Sequence, residues 1–415
     1  MSVAQLPPVD CAARRDPGMA GGRRRSVLAG AITLLLSAQF CLGATDAPFL
    51  REGRAGFVVS HIEYGLTTAE AEAGACPSGL SLNIEEIFAL TPQGKRLPQE
   101  SDAAYAERLK VGGRAYSLAP NGQNLCMNPE AGGPDPHFRT VQAGPLKAFG
   151  IDLDGGPGPG TCAHDEFTGM NGEPGIDNQF YRVFGCSRSY RSGGVSNSYA
   201  IEMLTGAWGI LLTLSGVDDI HNDDSVDVGF FANADPIQLS PGRDPLPYAT
   251  YLPDPDPGFQ STAHGRIEDG VLTTEPTDVR FHNVTNSMYT VRALRDARLR
   301  LTLSENGTME GYMSGYTPVE ALYDTSIGFR NGLTGKGELA PLALRAGTAN
   351  GAAYVLGYTC NGVYHGLYQY ADGHPDPETG KCTSISTQYR IQAIPAFVVD
   401  GRQEQSGQGE DRHDP

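Results

Sequence analysis

The chain has no C-x-x-C pair, which removes the usual zinc-ribbon, thioredoxin-like and c-type haem readings. It also lacks G-x-S-x-G, H-E-x-x-H and a G-x-G-x-x-G following a strand. Gly335-Lys336 lacks both the Ser/Thr and the spacing of a phosphate-binding loop. Basic residues are few, 31 Lys+Arg against 48 Asp+Glu, for a net charge of -17. That balance excludes the broad basic patch a nucleic acid or an anionic membrane requires. No stretch beyond the first forty residues approaches 18 uninterrupted apolar residues, so no membrane span is expected in the body of the chain. A single tryptophan leaves little of the strongest sugar-stacking side chain.

What is present is ample for folding. The 415 residues are 40% hydrophobic and 19% charged, a globular balance, and they suffice for one large core or two to three smaller ones. With 53 glycines and 29 prolines, tight turns are favoured over long helices. Arg23, Arg24 and Arg25 precede an apolar run from Val27 to Phe40, followed by Gly43 and Ala44. This is the layout of an export signal over residues 1–43, and it fits both a Sec leader and a twin-arginine pattern. Its removal takes five arginines and two aspartates, so the remaining chain is still more acidic. Of eight cysteines, Cys11 and Cys41 leave with it. The six others suit disulfides in an oxidising compartment. Proximity along the chain suggests Cys76 with Cys126, Cys162 with Cys186, and Cys360 with Cys382, among 15 pairings.

Alternation of apolar and polar residues predicts an opening strand over 56–67 and further strands at 208–217, 226–234 and 270–284. The clearest hairpin spans Leu294–Tyr316 around Asn306-Gly307, two residues that tolerate positive φ. After Pro318 the spacing becomes helical over 319–327 and 341–370, with Val363, Tyr364, Leu367, Tyr368 and Tyr370 in one stripe, and 392–399 reads as a closing strand. The expectation is a mainly β protein: an antiparallel sandwich of jelly-roll or lectin type with a small helical C-terminal segment. Its parts would be a disulfide-linked N-terminal subdomain at 44–145, the sandwich at 146–318, a mixed helical segment at 319–402 and a polar, disordered tail at 403–415.

The densest chemistry runs from Asp152-Leu153-Asp154-Gly155 through Asp165-Glu166 to Asp177-Asn178. Calcium takes six to eight hard oxygens, and a D-x-D-G run sets alternate carboxylates on one side of a tight loop. Asp152, Asp154, Asp165, Asp177 and Asn178 are therefore a candidate calcium loop, although D-G and P-G are also ordinary turn dipeptides. Asp218, Asp219, Asp223 and Asp224 form a weaker acidic loop, and 372–382 reads as a turn ending at a cysteine. A carboxylate-pair glycosidase leaves no sequence signature; Glu166, Glu173 and Asp177 are its candidates.

Three segments stand out together: Gly74-Ala75-Cys76-Pro77-Ser78-Gly79-Leu80; Asp165-Glu166-Phe167 with Pro174-Gly175-Ile176-Asp177-Asn178-Gln179 and Cys186; and Ala371-Asp372-Gly373 with Thr379-Gly380-Lys381-Cys382. On these the chain resembles a group of exported proteobacterial proteins. The resemblance implies export, a bacterial source and disulfides, and no activity. The leading functional expectation is a non-catalytic periplasmic or cell-surface binding protein, calcium-stabilised, for a glycan or envelope partner. The alternatives are a polysaccharide hydrolase or lyase using loop carboxylates, and a purely structural envelope protein.

Overall fold

Strand β1 (Arg54–Tyr64) begins the sheet, with Phe57, Val58, Val59 and Ile62 fully buried. The computed structural model describes residues 47–142, 146–156, 160–191, 203–206, 208–285, 288–327 and 346–399. The expected export signal and polar tail lie outside the described residues. β2 (Ile210–Ser215), β3 (Asp223–Ala232), β5 (Gln260–Glu268), β6 (Val271–Thr274), β8 (Met288–Leu303), β9 (Met309–Pro318) and β11 (Cys382–Val398) then follow one another as antiparallel neighbours. β11 also pairs with β1, from Gly56 opposite Ala396 to Tyr64 opposite Tyr389. That last pairing closes the sheet.

The fold is therefore an eight-stranded antiparallel barrel, and the expected jelly-roll sandwich is wrong. A sandwich and a barrel share the same local signals, alternating strands and frequent turns. They differ in whether the first and last strands meet, and here that contact joins residues more than 300 positions apart in sequence. Three further strands decorate the barrel: β4 (Thr250–Tyr251), parallel to the end of β11; β7 (Thr277–Thr285), against β8; and β10 (Gly373–Pro375), against the start of β11.

Local chemistry explains several boundaries. The expected strand over 270–284 is two strands, because Glu275-Pro276 breaks the ladder where proline cannot donate. Asp269-Gly270 makes a two-residue turn, with both φ positive, between β5 and β6. In the hairpin at Asn306-Gly307 only Gly307 takes positive φ; Asn306 instead accepts hydrogen bonds from Thr308 N–H and the Ser304 hydroxyl.

The barrel is filled by side chains, among them Phe57, Leu212, Phe230, Leu301, Met313 and Ile391. A second core lies under the helices that come from two long insertions, 65–209 and 319–381. It includes Phe180 and Phe184 of helix Gln179–Phe184, Leu322 of Val319–Ile327, Ala353 of Ala346–Leu356, and Val363 and Leu367 of Cys360–Gln369. Gly362 and Gly366 let the last helix approach the Phe138 side chain so closely that a Cβ at either would lie within 3 Å of it. Tyr64 joins the two cores, stacking on Phe180 at 4.2 Å and meeting Tyr389 at 5.2 Å.

The disulfides also depart from expectation. They join Cys76 to Cys186, Cys126 to Cys360 and Cys162 to Cys382, across 110, 234 and 220 residues. Nearness in sequence misled because the insertions fold back on distant parts of the chain: Cys126–Cys360 joins one insertion to the other, and Cys162–Cys382 joins the first insertion to the start of β11. Long closed loops remove more freedom from the unfolded chain, and each bridge contributes about 2–5 kcal/mol. Proteolysis without reductant, followed by mass spectrometry, is expected to recover these three linked pairs. Recovery of Cys162 linked to Cys186 would contradict the fold.

Candidate functional site

β11 reads Ser384-Ile385-Ser386-Thr387-Gln388-Tyr389 at its centre, and a strand sends alternate residues to opposite faces. Tyr389 and Ile391 enter the barrel core. Ser384, Ser386 and Gln388 point the other way, yet all three are buried, because segments of the insertions cover them. Gln388 accepts from Ile151 N–H at 3.1 Å and from the Ser314 hydroxyl, and its amide donates to the carbonyls of Ile151 and Asp177. The Ser386 hydroxyl accepts from Gln179 N–H at 2.9 Å, while Ser386 N–H donates to the Asp372 carboxylate at 2.7 Å. Asn178 caps helix Gln179–Phe184 through Tyr181 N–H and donates to the carbonyls of Gly65 and Phe149. Buried polar groups are costly unless paired, so this network fixes the covering segments in one position.

The network holds three carboxylates together. One oxygen from each of Asp152, Asp154 and Asp177 falls within 4.8 Å of the others. Two ligands of one calcium ion, each at 2.3–2.6 Å, lie at most about 5 Å apart, so the spacing suits a shared cation. The D-x-D-G run closes a turn in which Asp152 Oδ1 accepts from Asp154 N–H at 3.1 Å and Gly155 N–H at 2.6 Å. Asp177 Oδ2 accepts from Leu153 N–H at 2.6 Å. Among the described residues no lysine, arginine or histidine pairs with any of the three.

Their charges are consequently strained. Asp177 is 4% exposed, and burial pushes its pKa up to about 8 against the pull of Leu153 N–H, with Asp154, Asp372 and Asp152 adding to the rise. Burial also lifts Asp372 to about 7, despite its hydrogen bonds with Ser386. Glu166 is raised by burial and then by Asp152 and Asp154, and its Oε1 is buried without a hydrogen-bond partner. A Cβ on Gly175 would lie 3.3 Å from Asp152 Oδ2 and 3.5 Å from Glu166 Oε2, which places those two carboxylates side by side. The Tyr316 hydroxyl is held protonated, first by burial and then by Asp372, Asp177 and Asp154.

The other expected site residues go elsewhere. Asp165 lines a separate cavity of about 220 Å³ with His164, Arg182 and Tyr370. The Asn178 side chain is taken up by its cap and its two carbonyls. Glu173 forms a two-point ion pair with Arg300 at 3.0 and 3.3 Å. In the second acidic loop, burial raises Asp223, but the N–H groups of Asp218, Ser225 and Asp219 outweigh it and hold the carboxyl low. Asp219 accepts from His221 N–H, and Asp218, Asp219 and Asp224 are exposed, so the loop reads as a solvated turn. Asp376 caps Glu378 and Thr379 N–H in the third loop, an ordinary turn.

Asp152 has a second exposure. It borders an open cleft of about 440 Å³ beside β5, β6 and β8, with Asp224, His264, Arg266, Arg298 and Arg300. Sequence reasoning placed Asp372 in a turn, read Tyr316 and Arg298 only as residues of the 294–316 hairpin, and passed over Gln388. The alternation Ser384, Ser386, Gln388 was the available signal for Gln388: a polar stripe on a strand flanked by core residues implies a covering layer. No family model, curated protein or solved structure matches the chain.

Two outcomes follow. Gln388→Ala strands the N–H and C=O of Ile151 and the carbonyl of Asp177, and urea unfolding is expected to show a loss of about 2–4 kcal/mol. An acid raised in the folded state keeps a proton that the unfolded chain has released. Its stabilisation is therefore complete below about pH 4 and fades as pH climbs towards 8. With chelator present, the melting temperature is expected to fall from pH 5 to 8, and Asp177→Asn to flatten that slope.

Proposed function

We propose that the chain is an exported binding protein whose Asp152–Asp154–Asp177 cluster takes a divalent cation, calcium before magnesium. The observation that carries this reading is the convergence of three carboxylates, from two segments, with no basic side chain paired to them among the described residues. Like charges so placed at neutral pH favour either a proton or a cation between them. Calcium suits the mixture of side-chain and backbone oxygens in a glycine-bearing loop better than magnesium, which demands near-ideal octahedral geometry. Export is supported by the three disulfides and by the arginine-led apolar segment at the N-terminus. Among the described residues no helix is long and apolar enough to cross a membrane.

The cation would hold segments 151–156 and 166–177 against β11 and so shape the neighbouring cleft, where a glycan or envelope component binds. A hydrolase or lyase is the competing reading and uses the same carboxylates. The test is a thermal melt of residues 44–415, oxidised, in calcium and in chelator at pH 7.5. At 100 times its dissociation constant a ligand adds about 2.7 kcal/mol, a rise of about 3–4 °C for a chain of this size. Asp152→Asn is expected to abolish the rise. Equal melting temperatures in the two buffers would refute the cation. Loss of a polysaccharide-cleaving activity in Asp177→Asn, with the calcium shift intact, would favour the enzyme.

A further inference from the structure

The cleft that Asp152 shares with the acidic cluster has its own chemistry. Three arginines border it, and two are engaged: Arg300 with Glu173 at 3.0 Å, and Arg266 with Glu268 at 3.8 Å. His264 is paired with Asp227 at 2.7 Å. Arg298 is different. It forms no hydrogen bond or ion pair with any described residue, and its Nε is buried without an acceptor. It is half-buried on β8, whose neighbour Leu299 is locked into the core and donates its N–H to Thr274 Oγ1 at 2.9 Å. The guanidinium is thus carried on a rigid strand with no carboxylate paired to it, near enough to Tyr316 for its charge to act on that hydroxyl.

We infer that the cleft binds a sugar acid, free or as one residue of an acidic polysaccharide, with the ligand carboxylate on Arg298. This deepens the proposed binding function and rests on it, because Asp152 belongs to both sites. A guanidinium presents a planar fork that matches a carboxylate better than a lone ammonium does. The opposite contribution comes from Asp152, Asp224 and Glu275, which also border the cleft. Carboxylates accept hydrogen bonds from hydroxyls, so the cleft pairs one site for a negative charge with acceptors for the hydroxyl groups around it. A volume of about 440 Å³ lies in the range of small-ligand sites and accommodates one or two sugar rings. The chain's net charge of -17 opposes anion capture at long range, so recognition depends on the local arginine.

The experiment is calorimetric titration of residues 44–415 with galacturonate, trigalacturonate and neutral galactose, each in calcium and in chelator. Galacturonate is expected to bind and galactose not to. Arg298→Gln is expected to weaken galacturonate at least tenfold while keeping the parent's calcium-dependent melt. Arg298→Lys, which keeps the charge but loses the fork, should fall between them and guards against misfolding of the glutamine variant. Tighter binding of the trimer than of the monomer identifies a polysaccharide as the source; equal binding identifies the free acid. Equal binding of galactose and galacturonate, or unweakened binding by Arg298→Gln, would overturn the inference. Absence of binding in both buffers would overturn it too, and leave the cation to be judged by titration with calcium alone.

Discussion

Gln388 spends its whole side chain on one task. From the outer face of β11 it takes Ile151 N–H and gives to the carbonyls of Ile151 and Asp177, so a single amide holds both acidic segments against the barrel. Ser386 repeats the pattern with Gln179 and Asp372. The opposite face of the same strand supplies Tyr389 and Ile391 to the core, and its edge closes the barrel on β1. Folding of the barrel and assembly of the site are therefore one event. The carboxylates meet only if β11 is in register, because a slip by one residue would exchange its polar and apolar faces.

The covering layer mixes short helices with irregular segments, and its stability comes from three sources. The polar network fixes its inner surface. Aromatic packing of Tyr64, Phe180, Phe184 and Tyr190 joins it to the barrel mouth, with ring centroids 4.2–5.9 Å apart. The disulfide Cys126–Cys360 then ties the two insertions together, and Cys162–Cys382 ties the first to the start of β11. Against this rigid background the acidic cluster is an energetic exception. It collects like charges beside buried carboxyl groups and leaves them to be neutralised by a proton or a cation. Such local conflict within an otherwise consistent structure marks a site more reliably than any single motif.

Much of the local structure was legible in the sequence. The strand beginning near Gly56, the hairpin around Gly307, helix Val319–Ile327 and the stripe of Val363, Tyr364 and Leu367 are encoded by periodicity and turn chemistry within short windows. Of the five expected ligands Asp152, Asp154 and Asp177 converge, and Asp165 and Asn178 do not; the D-x-D-G turn is local, whereas Asp177 is brought to it by Gln388. What escaped was non-local. Closure of β1 on β11 and pairing of Cys162 with Cys382 join residues more than 200 positions apart, and no window of sequence contains that. The first half of β11 was missed for a related reason: Ser384, Ser386 and Gln388 look solvent-facing until the layer that buries them is known.

The central claim is that a cation resolves the charge conflict at Asp152, Asp154 and Asp177. Crystals grown with calcium at pH 8 and measured at long wavelength address it directly, since calcium scatters anomalously and water does not. The account predicts an anomalous peak 2.3–2.6 Å from an oxygen of each of the three aspartates, with six to eight oxygens around it. A map with no peak at that position, and water or a neighbouring side chain between the carboxylates, would contradict it.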